Sequence, residues 1–368
     1  MQNKVYYKYK QVYDYLLHWI KEQSFSSLSK IPSENMLCKK FNVSRHTVRK
    51  ATDRLKKEGY IKRVRGSGTF VNKASVISDE LLNTAAKRKV AVVMQGQDRN
   101  ANSSLLRGLK SAFANEDISL QVFFTDNLLV NERQCLEYIQ SQPFCGIIVD
   151  GVKANLINPN KDYYERISEK KIPIVFYNNY YPHLPYPRVI VNDKLAAKSL
   201  MKLLLENGHK NIAGLFVFDN YQSIEKYNGY ISAILNSDMQ FHDDFIKWSI
   251  SDEAHKPKFL NEIVKFLKGI PQCTAIVCCN YMLLKHVINA AKKLSKRIPE
   301  DYSVVCFDYS AQDYDKSGIS CSVHPGFQIG VEAARQMLRC IKHGTLSSHA
   351  TVIDPEIYYG NSVAKIKE

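Results

Sequence analysis

The sequence lacks the features of membrane, secreted and metal-binding proteins. None of its apolar runs reaches the roughly 18 residues of a transmembrane helix, and its basic start is not followed by the apolar region of a signal peptide. The nine cysteines are odd in number and have no metal-ligand spacing, as is typical of a reducing compartment. The adjacent Cys278 and Cys279 fall in an apolar run, which predicts a buried strand. We therefore expect a cytoplasmic protein that does not enter a membrane.

The sequence also lacks the phosphate-binding and nucleophile motifs of common α/β enzymes. It has no G-x-x-x-x-G-K-[ST], no G-x-G-x-x-G after a strand and no serine elbow between glycines. We predict no catalytic residues, no metal and no cofactor. A sugar-processing enzyme stays an alternative because doubly wound sheets carry many chemistries. A transport-associated sugar-binding protein is a third class, against which the missing export signal and the basic N-terminal region argue.

Positive charge is concentrated near the N terminus. Residues 1–73 contain 17 Lys and Arg against 5 Asp and Glu, a net +12 of the chain's +15. With 368 residues, the chain also exceeds the roughly 250 to 300 residues at which single cores stop growing. We predict a small domain at 1–72 with a polyanionic partner, a linker at 73–89 and a large domain at 90–368.

Three helices and a hairpin are predicted in the small domain. Apolar residues from Tyr9 to Lys21 recur with helical spacing. Ser33 is placed to cap a second helix that ends near Lys40, and Ser44 to cap a third that ends near Glu58. Two alternating strands, 60–64 and 68–71, flank a glycine-containing tip.

The third helix has the layout of a recognition helix. Val48, Ala51 and Leu55 share one face, and the opposite face carries Arg45, His46, Arg49 and Lys50. A recognition helix directs its N-terminal side chains at base edges, and Arg can donate to both acceptors of a guanine. The alternative interpretation is a solvated helix face that happens to be charged.

These residues resemble the GntR-type winged helix-turn-helix over about residues 6–72. The resemblance is carried by Pro32-Ser33-Glu34, the run Val43 to Ala51, and Gly66 to Val71. It implies that the third helix enters the major groove of double-stranded operator DNA and that the glycine tip enters the minor groove. Members of the family often have Arg where this chain has Asn35. The predicted DNA-binding residues are Lys8, Ser33, Ser44, Arg45, His46, Thr47, Arg49, Lys50, Arg65, Gly66, Ser67 and Gly68.

The large domain alternates short apolar runs with helical patterns from Val90 to Phe307. This rhythm predicts an α/β fold with parallel, doubly wound sheets, in which ligands bind at the carboxyl ends of the strands. Donors and acceptors with a few aromatic neighbours suit a neutral polyol better than a phosphate, although each residue alone could be a turn or a cap. The polar residues that follow the runs are Gln95, Asp98, Asp150, Asn178, Asp219, Asn280 and Asp308.

Several segments of the large domain resemble the effector domain of the lactose/galactose repressor family: 207–214, 227–230, 275–280 and 298–308. The resemblance implies a two-lobed, periplasmic-binding-protein-like domain. Fused to a GntR-type winged helix, it is similar to the arabinose-operon repressors of Gram-positive bacteria. Lys226 stands where the family usually has Arg. The predicted effector-binding residues are Lys226, Asn280, Asp308, Trp248, His324, Asn178 and Gln95.

The two resemblances together predict a homodimeric repressor of carbohydrate-utilisation genes that a sugar releases from a palindromic operator. L-arabinose is the sugar that they imply. Asn280-Tyr281 and Asp308-Tyr309 stand where the family often has Asn-Asp and Asp-Asp. A different sugar is therefore the alternative, and activation rather than repression stays open at any one promoter.

Overall fold

The computed structural model describes residues 9–16, 31–57, 61–64, 68–71, 88–96, 99–309, 318–344 and 349–366. Most of the predicted linker, 73–89, lies outside these ranges, and the large domain's first strand begins at Arg88. The predicted domain boundaries stay predictions. Within the described ranges, no helix has the length and apolar character needed to cross a membrane.

The N-terminal region has the predicted helices and paired strands in its described residues, whereas residues 17–21 of the predicted first helix and 65–67 of the predicted tip lie outside them. Helices α1 (9–16), α2 (Glu34–Phe41) and α3 (Arg45–Lys57) precede the antiparallel strands β1 (Ile61–Val64) and β2 (Gly68–Val71). Both predicted caps are confirmed, since Ser33 Oγ accepts from Met36 N and Ser44 Oγ accepts from Thr47 N, each at 3.3 Å. Asn42, in the left-handed conformation at φ 48°, ends α2.

One apolar cluster holds these elements together. Val48, Ala51 and Leu55 are fully buried, as the sequence predicted, and pack with Val12 and Leu16 of α1. Burying a Val or Leu side chain contributes about 1.5 to 3 kcal/mol to the stability of the fold. Because α3 is fixed by this face, its opposite face is turned to solvent.

The first lobe of the large domain, which we call the N-lobe, is built around a six-stranded parallel sheet. Its strand order is β13-β7-β6-β5-β3-β4, and every neighbouring pair is parallel. The N-lobe contains β3 (Arg88–Met94), α4 (Arg99–Phe113), β4 (Ile118–Phe124), α5 (Leu129–Gln140), β5 (Phe144–Val149), α6 (Lys161–Glu169), β6 (Ile174–Tyr177), β7 (Arg188–Val191), α12 (Gly326–His343) and β13 (Ala350–Ile353).

A second six-stranded sheet forms the C-lobe. Its order is β14-β12-β11-β10-β8-β9, parallel except for the pair β12 and β14. The C-lobe contains α7 (Asp193–Glu206), β8 (Ile212–Val217), α8 (Tyr221–Leu235), a 3-10 turn (Asp243–Phe245), β9 (Ile246–Ser249), α9 (Ser251–Ala254), α10 (Phe259–Gly269), β10 (Ala275–Cys278), α11 (Tyr281–Lys293), β11 (Ser303–Tyr309), β12 (Ser320–Val323) and β14 (Glu356–Tyr358).

The chain passes between the lobes three times, after β7, after β12 and after β13. Two glycines allow α12 to return to the N-lobe, because a Cβ on Gly108 of α4 or Gly330 of α12 would lie 2.1 or 2.2 Å from a backbone oxygen of the other helix. The three crossovers leave a cleft at the carboxyl ends of the strands of both lobes.

The adjacent cysteines lie where the apolar run predicted. Cys278 ends β10 and Cys279 follows it, and both thiols are buried. Burial raises the pKa of Cys279 to about 11, so this thiol is protonated at neutral pH. Among the described residues, no group of His, Cys, Asp and Glu is arranged to hold a metal ion.

Candidate functional site

The exposed face of α3 presents most of the predicted DNA-binding residues. Arg45, His46, Arg49 and Lys50 are exposed, and Thr47 is half-buried. Ser44 and Thr47 share a hydroxyl hydrogen bond of 3.1 Å at the start of the helix. The structure therefore brings these side chains together on one surface, in the first two turns of the helix. A helix N-terminus also attracts phosphate.

Two arginines of this face are held by the start of α2. Arg45 Nη2 donates to Asn35 Oδ1 at 3.0 Å. Arg49 Nε donates to both carboxylate oxygens of Glu34, at 3.3 and 3.1 Å. The position that the resemblance left without a role, Asn35, thus contacts a predicted base-reading residue. Asn35 accepts from only one N–H group of the Arg45 guanidinium, so other donors of this planar group can still contact a base.

The remaining DNA-binding predictions are placed only in part. Lys8, Arg65, Gly66 and Ser67 lie outside the described residues, and Gly68 begins β2. Ser33 caps α2 with its hydroxyl.

A cleft of about 440 Å³ lies between the two lobes. Its N-lobe wall is formed by Gln95, Gly96, Asp126 and Asn127. Four of the seven predicted effector-binding residues line it: Gln95, Lys226, Asn280 and Asp308. The C-lobe wall also includes Val217, Asn220, Gln222, Ser223, Ser251, Asp252, Ala254, His255, Cys279 and Met282.

Lys226 is the central charged group of the cleft. Its side chain is 2% exposed and forms ion pairs with Asp308 and, at 3.5 Å, with Asp193. The Cys279 carbonyl oxygen lies 3.4 Å from Nζ. Burial lowers the pKa of Lys226, but the carboxylates of Asp308 and Asp193 together raise it by a larger amount. The net shift of the pKa is therefore upward. The ammonium is therefore charged at neutral pH. Its two carboxylate partners supply the pairing that a buried cation requires.

A glycine permits the contact between Lys226 and Asp193. Asp193 begins α7, directly after the first crossover, and Lys226 lies on α8. A Cβ on Gly229 would lie 2.5 Å from Ala197 Cβ and 2.6 Å from the Lys194 carbonyl oxygen. Because residue 229 has no side chain, α7 and α8 approach closely enough for the ion pair to form.

Three further cleft residues have defined polar contacts. Asn280 Oδ1 caps α11 by accepting from Leu283 N at 2.9 Å, so its amide nitrogen is the group that can donate to a ligand. Asp308 adopts a left-handed backbone, φ 56°. Gln95 Nε2 donates to the Gly151 carbonyl at 2.6 Å and to Asp150 Oδ1 at 3.2 Å.

The other three predicted effector-binding residues do not line this cleft. Trp248 packs against Phe216 and Tyr227, with ring centroids 5.7 and 4.8 Å away. Asn178 lines a separate hollow of about 90 Å³ beside the first crossover. His324 lies in the second crossover, where its backbone nitrogen donates to the Tyr309 carbonyl at 3.0 Å.

Sequence reasoning missed several cleft residues. Asp126 and Asn127 follow β4, one of the apolar runs of the large domain, and could have been found by the strand-end rule that selected Gln95. Asp252 and His255 could not, because they follow β9, a strand that the sequence did not predict.

Asp150 should make stability pH-dependent. Burial raises the pKa of this carboxyl to about 7, although hydrogen bonds from Asn179 lower it. A folded-state pKa above the unfolded value gives stability that is present at low pH and is lost as pH rises through about 7. We expect the Tm of D150N, whose amide oxygen can still accept from Asn179, to be higher relative to the wild type at pH 8 than at pH 5. Parallel Tm curves for the two proteins across this range would contradict the expectation.

The geometry defines a class of protein: a winged helix-turn-helix with a basic, exposed recognition helix, joined to a two-lobed ligand-binding domain. This is the arrangement of ligand-controlled transcriptional regulators. Residues 8–71 match the family model of bacterial regulatory proteins of the gntR family, and residues 201–363 match that of the periplasmic binding protein-like domain.

Two relatives cover nearly the whole chain. The arabinose metabolism transcriptional repressor of Halalkalibacterium halodurans is 30% identical over 92% of each chain. The repressor of the same name from Geobacillus stearothermophilus is 28% identical over 100% of each chain. A solved complex of the transcriptional regulator CelR with cellobiose has the same fold, with a TM-score of 0.65 at 16% identity, over 90% of this chain and 100% of that one. The chain therefore belongs to the family of GntR-type transcriptional repressors with a periplasmic-binding-protein-like domain, and it is a regulator, not an enzyme.

Proposed function

We propose that this protein is a cytoplasmic, homodimeric repressor that binds a palindromic operator and releases it when a neutral sugar, L-arabinose, occupies the cleft. The observation that carries the proposal is the cleft itself, a polar cavity between two lobes on the same chain as an exposed recognition helix. A ligand that favours one arrangement of the lobes shifts the population of DNA-binding states. The names of the two full-length relatives support arabinose as the signal.

The charges of the cleft support a neutral ligand. Its lining includes the carboxylates of Asp126, Asp252 and Asp308, and its buried cation, Lys226, already faces two carboxylates. A phosphate or a uronate would bring further negative charge next to this set, and like charges at close range are unfavourable. A sugar offers hydroxyl groups, which both donate to carboxylates and accept from the ammonium and amides.

A thermal-shift panel tests the effector. A sugar that binds only the folded state raises Tm by mass action. We expect L-arabinose, or another neutral pentose or hexose, to raise Tm, and we expect pentose phosphates and uronates to have no effect. The same sugar should release the protein from duplex DNA selected from a random library. A phosphate or uronate as the only stabilising compound would refute a neutral effector.

Replacing Asp308 should uncouple the two activities. In D308A, Lys226 keeps Asp193 as its partner, so the fold should persist, but the cleft loses an acceptor for sugar hydroxyls. A charged hydrogen bond contributes about 1.5 to 3 kcal/mol, so we expect at least about tenfold weaker sugar binding. Gel shifts should show unchanged DNA affinity and release only at much higher sugar concentration. Release at the wild-type concentration would refute the role of Asp308.

Asn35 should act on DNA recognition through Arg45. Its Oδ1 accepts from the Arg45 guanidinium and so restricts an otherwise flexible side chain before DNA is bound. Losing one such bond costs about 0.5 to 1.5 kcal/mol, and we expect N35A to weaken operator binding about fivefold. In a double-mutant cycle, the N35A/R45A variant should bind the operator as weakly as R45A alone. Additive losses would show that Asn35 acts independently of Arg45.

A further inference from the structure

Lys153 contacts both walls of the cleft. Its backbone nitrogen donates to Asn127 Oδ1 at 3.3 Å, and its Nζ donates to Asp252 Oδ2 at 2.8 Å. Asn127 lines the cleft from the N-lobe and Asp252 lines it from the C-lobe. The Lys153 side chain is 18% exposed and that of Asp252 33%. One residue outside the cleft lining therefore joins its two sides.

The loop that carries Lys153 is anchored to the N-lobe by a buried carboxylate. Glu132, on α5, is fully buried. A buried carboxylate is costly unless it is well hydrogen-bonded, and here five donors surround it. They are Val152 N at 3.4 Å, Asn158 Nδ2 at 3.1 Å, Asn160 Nδ2 at 2.8 Å, Tyr164 Oη at 2.8 Å and Tyr181 Oη at 2.6 Å. Three of the donors belong to residues 152–160, so both ends of the loop are fastened to one group.

The same loop makes a second contact with the C-lobe. Asn155 Nδ2 donates to the Phe218 carbonyl at 2.7 Å, and Asn155 N lies 3.5 Å from the Asp219 carbonyl. Lys153 has a left-handed backbone, φ 47°, which non-glycine residues adopt only when their surroundings impose it. The loop is thus held in a shape that directs two side chains across the cleft.

We propose that Lys153 is a positioning residue of the effector site: its ion pair with Asp252 latches the C-lobe to the Glu132-anchored loop and sets how much of the protein is ready to bind the sugar. The inference rests on the proposed function for the identity of the sugar only. Apparent affinity falls in proportion to the population of the binding-competent arrangement. Loss of the ion pair removes a contact between the lobes that this arrangement of the cleft makes, and sugar binding must then supply the difference.

Sugar titrations by calorimetry compare three variants with the wild type. K153M keeps the length of the side chain and removes its charge, and we expect about fivefold weaker binding of L-arabinose. K153R keeps the charge and should bind as the wild type does. K161M is the matched control, because Lys161 pairs with Glu165 at 3.3 Å on the surface of the same lobe, and it should not change sugar affinity. Equal affinities for K153M and K161M would overturn the proposal.

Hydrogen exchange tests the latch without sugar. The amides of Lys153 and Asn155 should exchange faster in K153M than in the wild type, and K161M should leave them unchanged. Combining K153E with D252K rebuilds the pair in reverse and should restore protection that each single change removes. Exchange that is the same in K153M and the wild type, or a double variant no better protected than the single ones, would refute the latch. If L-arabinose does not bind the wild type, the proposed effector is wrong, and the exchange experiment still decides on Lys153.

Discussion

K226M is expected to destabilise the protein by about 3 to 5 kcal/mol, the cost of breaking a buried ion pair by removing one partner. The variant would leave Asp193, with a side chain 5% exposed, and Asp308 facing each other without a cation. Replacing both partners could be nearly neutral, whereas removing one leaves an uncompensated charge. Urea unfolding followed by circular dichroism measures the loss. We expect K226R, which keeps the positive charge, to lose much less stability than K226M.

The loss in K226M should also depend on pH. Burial raises the pKa of Asp193 even with Lys226 present, and removing the cation raises it further. A raised folded-state pKa gives stability that is present at low pH and is lost as pH rises. K226M should therefore be closer to the wild type at pH 5 than at pH 8. The control is K202M, which removes an exposed i,i+4 pair on α7 worth about 0.3 to 0.5 kcal/mol. Equal unfolding midpoints for K226M and K202M would contradict a buried pair.

The regular part of the fold could be predicted from the sequence. The recognition helix followed from the spacing of Val48, Ala51 and Leu55, all fully buried. The central strands followed because parallel strands covered on both faces are continuous apolar runs, as in Ala275–Cys278. The edge strand β9 was missed because Ile246, Lys247 and Trp248 are only half-buried and carry no such run.

The assignment of elements to lobes could not be predicted. The helix Gly326–His343 packs on the N-lobe although the strands before it, β11 and β12, belong to the C-lobe. The order of the elements along the chain does not indicate that this helix returns to the N-lobe. The return depends on the close approach of α4 and α12 at Gly108 and Gly330.

The candidate site was predictable where a residue follows a central strand. Gln95, Asn280 and Asp308 follow or end such strands. Asp193 and Lys153 carry no comparable signal. They reach the site through the first crossover and through a loop that is fixed by Glu132, and both are long-range arrangements. Lys226 was found through resemblance, whereas its pairing with Asp193 appears only once α7 and α8 are packed.

The recognition helix carries the second large expectation, that R45A strongly weakens specific operator binding. Arg45 is exposed at the first turn of α3, and its guanidinium is held by Asn35. A bidentate contact between Arg and a guanine edge contributes about 1 to 3 kcal/mol of discrimination, so we expect about 10- to 100-fold weaker binding to the selected operator. The affinity of R45A for random DNA should fall only by the amount that one positive charge contributes to binding the phosphate backbone.

A matched charge loss separates base reading from electrostatics. Lys56 is exposed near the far end of the same helix, and K56A removes the same unit of charge from the end of α3 opposite to the one that a recognition helix directs at base edges. We expect K56A to weaken binding to operator and random duplexes equally and slightly, whereas R45A should lower the ratio between them. Sugar binding to R45A, measured by thermal shift, should be unchanged because the cleft lies in the other domain. If R45A and K56A reduced both affinities by the same factor, Arg45 would contribute charge alone, and operator specificity would have to come from another part of the DNA-binding face.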